Sequence, residues 1–278
     1  MKLRKVTAAA AAVLALSLTA SACGSDGGGG DSGSDDKKIT VGIKFDQPGL
    51  GLKTPDGKYT GFDVDVANYV AKQLGYKPGD IQFKEAKSAD RETLLQRGDV
   101  DFIAATYSIN PERAKKVDFA GPYFLAHQDV LVRADDNSIT KPADLNNKKL
   151  CSVTGSTSAQ NVKDKLAPKA QLQEYGGYSE CLTGLENKVI DALTTDDVIL
   201  AGYAAQPEHQ GKFKLGGFKL SNENYGIGVQ KGSELKAKIN TALEKMVADG
   251  SWDKAVTKNF GPAEYQNEAP PKIGVVVN

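Results

Sequence analysis

The chain has 278 residues, of which 40% are hydrophobic and 25% charged, an ordinary globular composition. Its 35 Lys and Arg balance 35 Asp and Glu. They show no clustered basic stripe of the kind a nucleic-acid surface requires, so no nucleic-acid partner is expected.

The first 22 residues read as an export signal. Lys2, Arg4 and Lys5 form a basic start, and Ala8 to Leu18 an apolar run too short to span a bilayer as a helix. Ala20, Ser21 and Ala22 ahead of Cys23 resemble the lipobox of bacterial lipoproteins, in which the cysteine becomes the lipidated first residue. Ala20 stands where Leu is more usual, and an ordinary secretory signal with an incidental cysteine is the alternative. Residues 24–36 are only Gly, Ser and Asp, and residues 23–38 are expected to be a flexible tether. Losing Lys2, Arg4 and Lys5 leaves 32 basic against 35 acidic residues, a net charge of about −3.

Ile39, Val41 and Ile43 alternate along a first strand, and Pro55 to Lys58 form a hairpin turn. Phe62, Val66, Val70 and Leu74 recur every four residues, which predicts a helix over 61–74. A strand is expected over 81–84, then a helix capped by Ser88 and ending at Gly98, then a strand over 100–106. Asn110-Pro111-Glu112-Arg113 is a helix start, with Asn as cap and Pro at the first helical position. A strand over 130–133 leaves this unit.

A second α/β unit follows, with strands over 150–153, 172–175 and 190–194 and helices over 158–166, 179–187 and 197–205. A strand over 225–229 precedes a helix carrying Leu235, Ile239, Leu243 and Met246, then a stripe of Trp252, Val256 and Phe260. These last apolar faces have no place in the second unit, so the chain is expected to return to the first. The result would be a discontinuous lobe over 39–132 and 223–262, a second lobe over 133–222, and two crossing strands as a hinge. A loosely ordered tail is expected over 263–278.

If Cys23 carries lipid, Cys151 and Cys181 remain as an even pair in a chain that export would place where disulfides persist. A bridge between them would stabilise the fold by about 3–4 kcal/mol on the chain-entropy view, and two buried thiols are the alternative. His127 and His209 stand alone at no ligand spacing, so no metal or other cofactor is expected.

Several segments together are similar to one family, the polar-amino-acid substrate-binding proteins of ABC importers (family 3). The segments are Gly61-Phe62-Asp63-Val64-Asp65, Ser108 to Arg113, Val117 to Tyr123, Gly155 to Ser158, and Asp191 to Asp196. The resemblance implies a type II periplasmic-binding-protein-like fold of two α/β lobes, an amino-acid ligand, a membrane permease as partner, a monomer, and no catalysis. It also implies site residues. Thr106, Ser108 and Arg113 would contact the ligand's α-carboxylate and amine, and Asp196 its ammonium. A guanidinium in the first turn of a helix grips a carboxylate bidentately. Ser156, Thr157 and Ser158 open a helix and can offer N–H groups and hydroxyls to an anion. Plainer roles exist: Arg113 paired with Glu112 or Asp118 on the surface, and the Ser, Thr and Asp residues as helix caps. Lys44 and Arg91 match positions that face the ligand's far end in binders of acidic amino acids, where two cations suit glutamate or aspartate and a neutral amide such as glutamine would leave a buried charge poorly paired. Phe45 could pack on the ligand's carbon chain or in the core. The stretch Thr194 to Tyr203 also resembles the glutamate-binding branch. A dehydratase of cyclic amino acids on the same fold is the rival, but no nucleophile–base pair occurs in these motifs. A sensor lobe, normally fused to a transmembrane signalling module, is a second rival.

Overall fold

The computed structural model describes residues 37–277. The export signal, Cys23 and the tether up to residue 36 lie outside the described residues.

The first lobe opens with β1 (Ile39–Ile43), buried along its length except at Thr40. A small antiparallel meander follows, β2 (Asp46–Gln47), β3 (Gly51–Lys53) and β4 (Tyr59–Thr60), turning at Pro55 to Lys58 as expected. Helix α1 (Phe62–Gln73) buries Phe62, Val66 and Val70 against the sheet. Next come β5 (Ile81–Glu85), α2 (Arg91–Arg97), β6 (Phe102–Ile103) and the single turn α3 (Pro111–Ala114). β1 pairs in parallel with both β5 and β6.

Two expectations fail here. Ser88 does not cap α2: Asp90 holds that position, and Ser88 lies in the turn before it. The strand expected over 100–106 keeps ladder pairing only at β6, because the chain turns into the cleft at Thr106 with φ +45°.

The 16-residue β7 (Asp118–Arg133) runs through both lobes. The second lobe contains β8 (Lys149–Val153), α4 (Ser158–Lys165), β9 (Gln171–Tyr175), α5 (Tyr178–Glu186), β10 (Ala192–Asp196), α6 (Asp197–Ala204) and β11 (Phe213–Leu215). β8 lies parallel between β9 and β10. Cys151 of β8 is bonded to Cys181 of α5, tying helix to sheet inside the lobe. β12 (Asn222–Val229) then returns antiparallel to β7.

Among the described residues one nine-stranded sheet results, in the order β5-β1-β6-β12-β7-β10-β8-β9, with β11 on the other edge of β7. β7 pairs with β12 as far as His127 and with β10 from Gln128. The two lobes are therefore halves of one sheet that exchange partners in the middle of a strand. Helices α7 (Leu235–Ala248) and α8 (Ser251–Phe260) return to the first lobe. Trp252 meets Phe62 edge-on at 6.0 Å and donates from Nε1 to the Tyr123 carbonyl at 2.8 Å.

The tail is tied down rather than loose. The Tyr265 hydroxyl donates to Asp197 of α6 at 2.9 Å, and Glu268 meets His127 at 2.8 Å. Farther on, Asn224 and Val277 exchange two hydrogen bonds of 2.8 and 3.0 Å. The tail is thus fixed by polar contacts to both crossing strands, with Tyr265 and Ile273 packed against the core. No helix among the described residues is long and apolar enough to cross a membrane.

Candidate functional site

The lobes touch across the cleft. Asp46 of the first lobe accepts from the Tyr178 backbone N–H at 3.1 Å, and its carbonyl accepts from the Tyr203 hydroxyl. Arg113 reaches over to donate to the Gly155 carbonyl at 3.1 Å. Two glycines permit this approach. A Cβ on Gly155 would stand 2.5 Å from the Ala89 nitrogen, and one on Gly202 2.3 Å from the Pro48 carbonyl oxygen.

Between the lobes, drawn together, lies a small polar cavity. Arg91, Thr106, Ser108 and Arg113 line it from the first lobe; Ser156, Thr157, Ser158 and Asp196 line it from the second. Eight of the nine ligand positions expected from sequence therefore meet in one space. Lys44 lines a neighbouring space instead, and Phe45 packs on Tyr59 with ring centroids 5.2 Å apart.

Arg113 is held from several sides. Asn110 accepts from its backbone N–H at 2.9 Å, the expected cap. Its guanidinium donates to the Ser108 carbonyl at 2.9 Å, and Nε lies 3.7 Å from Glu92. Glu112 and Asp118, the surface partners considered from sequence, pair with Lys115 and Lys231. Arg113 is thus a buried, preorganised cation at 7% exposure. Facing it, Thr157 stands at the start of α4 without capping it through its side chain, and Ser156 accepts from the Ser158 N–H at 3.3 Å. This arrangement offers donors to an anion from both lobes.

Asp196 occupies the cap position of α6 but makes no side-chain cap bond. Its carboxylate accepts from the Tyr225 hydroxyl at 2.6 Å. Burial holds its carboxyl well above the usual range, and the nearby Glu223 carboxylate pushes the same way. Glu223 of β12 lines the cavity too and accepts from Ser221 at 2.7 Å. Two acids on one side make a place for an ammonium, whose charge would favour ionised Asp196.

Arg91 is 2% exposed and donates from one terminal nitrogen to the Ala105 and Thr106 carbonyls at 3.0 and 3.2 Å. Its Nε is buried without a partner. The Arg91 and Arg113 guanidinium carbons lie 4.1 and 5.1 Å from the Tyr107 ring centre, within cation–π range. Burial and then the Arg113 charge lower Arg91 to about 10. Two buried cations this close destabilise each other, and an anion bound between them would relieve that cost.

Sequence reasoning passed over Ser88, Tyr178, Thr195, Ile199 and Glu223, all of which line the cavity. Glu223 carried no local signal, because strand pairing alone brings β12 to the cleft. Asp63 was noticed only as part of a family motif. Its carboxylate accepts from the Thr106 N–H at 2.9 Å and the Tyr123 hydroxyl at 2.6 Å, so it shapes the cavity wall from behind.

Known proteins share this architecture. The chain is 49% identical over 271 residues to the glutamate-binding protein GluB of Corynebacterium efficiens, covering 93% of this chain and 91% of that one. It is 41% identical over 226 residues to the ABC transporter glutamine-binding protein GlnH of Bacillus subtilis, 81% of each. An ancestral arginine-binding protein bound to glutamine has a TM-score of 0.75 at 39% identity, covering 81% of this chain and 98% of that one. The solute receptor for L-cysteine of Neisseria gonorrhoeae has a TM-score of 0.76 at 29% identity, covering 82% and 92%. The family model of the bacterial extracellular solute-binding proteins, family 3, matches residues 39–262. That span starts with β1 and ends two residues past α8, taking in both lobes and the crossing strands, and the chain belongs to this family.

Proposed function

We propose that this protein captures an acidic amino acid, glutamate foremost, by closing its lobes on it, and delivers it to the permease of an ABC importer. The carrying observation is the charge pattern of one closed cavity: buried Arg113 and Arg91 on one side, Asp196 and Glu223 on the other. A zwitterion with a second carboxylate matches it group for group. Arg113 and the segment 156–158 take the α-carboxylate, Asp196 takes the ammonium, and Arg91 takes the far carboxylate. The name of the GluB relative, a glutamate-binding protein, supports this ligand, and that of GlnH supports its amide as the alternative.

Membership of an extracellular family makes this an exported protein. We extend this to a monomer held at the outer face of the membrane through lipid on Cys23, with lobes 39–132 plus 223–262 and 133–222 moving about the crossing strands. Cys23→Ser should move the protein from the membrane fraction to the soluble one.

Calorimetric titration of the purified mature protein with glutamate, glutamine, aspartate and arginine tests the ligand. Glutamate is expected to bind most tightly. Arg113→Ala should weaken it by about 2–4 kcal/mol, roughly 30- to 1,000-fold, because it leaves the ligand carboxylate buried without its partner. Unchanged glutamate binding in Arg113→Ala would refute the site.

A further inference from the structure

Lys44 follows β1 and is 5% exposed. Its Nζ donates to Ser88 Oγ at 2.7 Å. Lys44 borders a space of about 140 Å³ beside the ligand cavity, Ser88 borders the ligand cavity, and Tyr178 borders both. Ser88 therefore stands between Lys44 and the ligand. With Arg113 given to the α-carboxylate and Asp196 to the ammonium, Ser88, Arg91 and Tyr178 are the polar lining left for the ligand's far end.

Hydrogen-bond direction then matters. A lysine ammonium has three donors and no acceptor. When Lys44 is charged, Ser88 accepts from it and its own O–H is left to donate into the cavity, which suits a carboxylate. A neutral amine has a lone pair that can take the Ser88 proton. Ser88 then presents only lone pairs to the cavity, which suits the NH₂ of a carboxamide. We propose that Lys44 is a positioning residue that selects between a carboxylate and a carboxamide at the ligand's far end by setting the direction of the Ser88 hydroxyl. The inference rests on the amino-acid reading above.

The surroundings make this choice adjustable. Burial, and then the Arg91 charge, brings Lys44 down to about 7. Arg113 pushes the same way, while Asp46 and Glu85 oppose it. Buried Asp63 also feels the Lys44 charge, and Lys87, Tyr178 and Glu180 complete the titratable groups around its space. A carboxylate brought up to Ser88 stabilises the ammonium, so an acidic ligand should bind with proton uptake above neutrality and an amide ligand without it.

The test is calorimetry with glutamate and with glutamine from pH 6 to 9 on the wild type, Lys44→Met and Ser88→Ala. The readout is the ratio of the two affinities. Titration of the shared ammonium and of Asp196 cancels in that ratio. In the wild type the preference for glutamate should fall above pH 7, by up to tenfold per unit. In both variants the ratio should be flat and shifted toward glutamine. If Lys44→Met does not fold, Ser88→Ala alone decides. A flat ratio in the wild type, or an equal fall in the variants, overturns the proposal. Absence of binding by either ligand at every pH overturns the proposed function, and this inference with it.

Discussion

Thr106 holds a backbone φ of +45°, a region that threonine rarely adopts and that costs of order 1–3 kcal/mol unless the surroundings enforce it. Asp63 is the enforcing group, taking the Thr106 N–H and the Tyr123 hydroxyl on its two oxygens. Asp63→Ala should leave two buried donors unpaired and lower stability by about 2–4 kcal/mol in urea unfolding. Asp63→Asn, which keeps an acceptor oxygen for one donor and turns an NH2 toward the Tyr123 hydroxyl, itself able to accept, should lose less. Asp196→Asn preserves an acceptor for Tyr225 but removes the negative charge. It should fold normally yet weaken glutamate by about 2–4 kcal/mol in calorimetry. Among these side chains, local pattern placed Arg113 and Asp196 at helix starts, but their place in the site was implied only by the family resemblance. Ser88 resembles a cap in sequence because the turn it opens, three residues before α2, has the same composition as a cap.

At the level of elements, α6 packs closely against the loop after β2. Gly202 sits in α6, where alanine is the better helix former by about 0.8–1 kcal/mol. Its Cβ, however, would stand 2.3 Å from the Pro48 carbonyl when the lobes meet. Gly202→Ala should therefore keep or raise the melting temperature of the ligand-free protein while weakening ligand binding, measured by a thermal shift with and without glutamate. An unchanged shift would mean that the lobes do not need this contact. β7 shows what element-level reading misses. It is buried on almost every residue, so it lacks the alternation that marks a half-exposed strand, and only its last residues had been assigned to a strand.

For the whole molecule, two buried groups link stability to pH with opposite signs. Lys44 is lowered to about 7 in the fold from an unfolded value near 10.5. Between those values the unfolded chain holds more protons, so stability rises with pH. Relative to Lys44→Met, the wild type should gain up to about 1.4 kcal/mol per pH unit from pH 7 to 9, read by urea unfolding. Asp63 is raised to about 6 by burial, so its contribution is full below pH 4 and is lost as pH climbs through 6. The ligand-free protein should lose stability over that interval relative to Asp63→Asn. Both terms follow from burying charge beside a cleft built for a charged ligand.

The sequence by itself determined the α/β class and the two-lobe order with its return to the first lobe, while most of the lining residues were implied by the family resemblance its motifs carry. Those features rest on local periodicity, turn chemistry and helix starts, which act over a few residues. Tertiary structure decided what depends on distance: the crossover of β7 between partners at His127 and Gln128, the arrival of Glu223 in the cavity, the tail's hold on both crossing strands, and the seat of Lys44 behind Ser88. Each of these brings together groups far apart along the chain, and the free energy that selects them comes from burial and pairing in the folded whole, where short-range pattern carries no information.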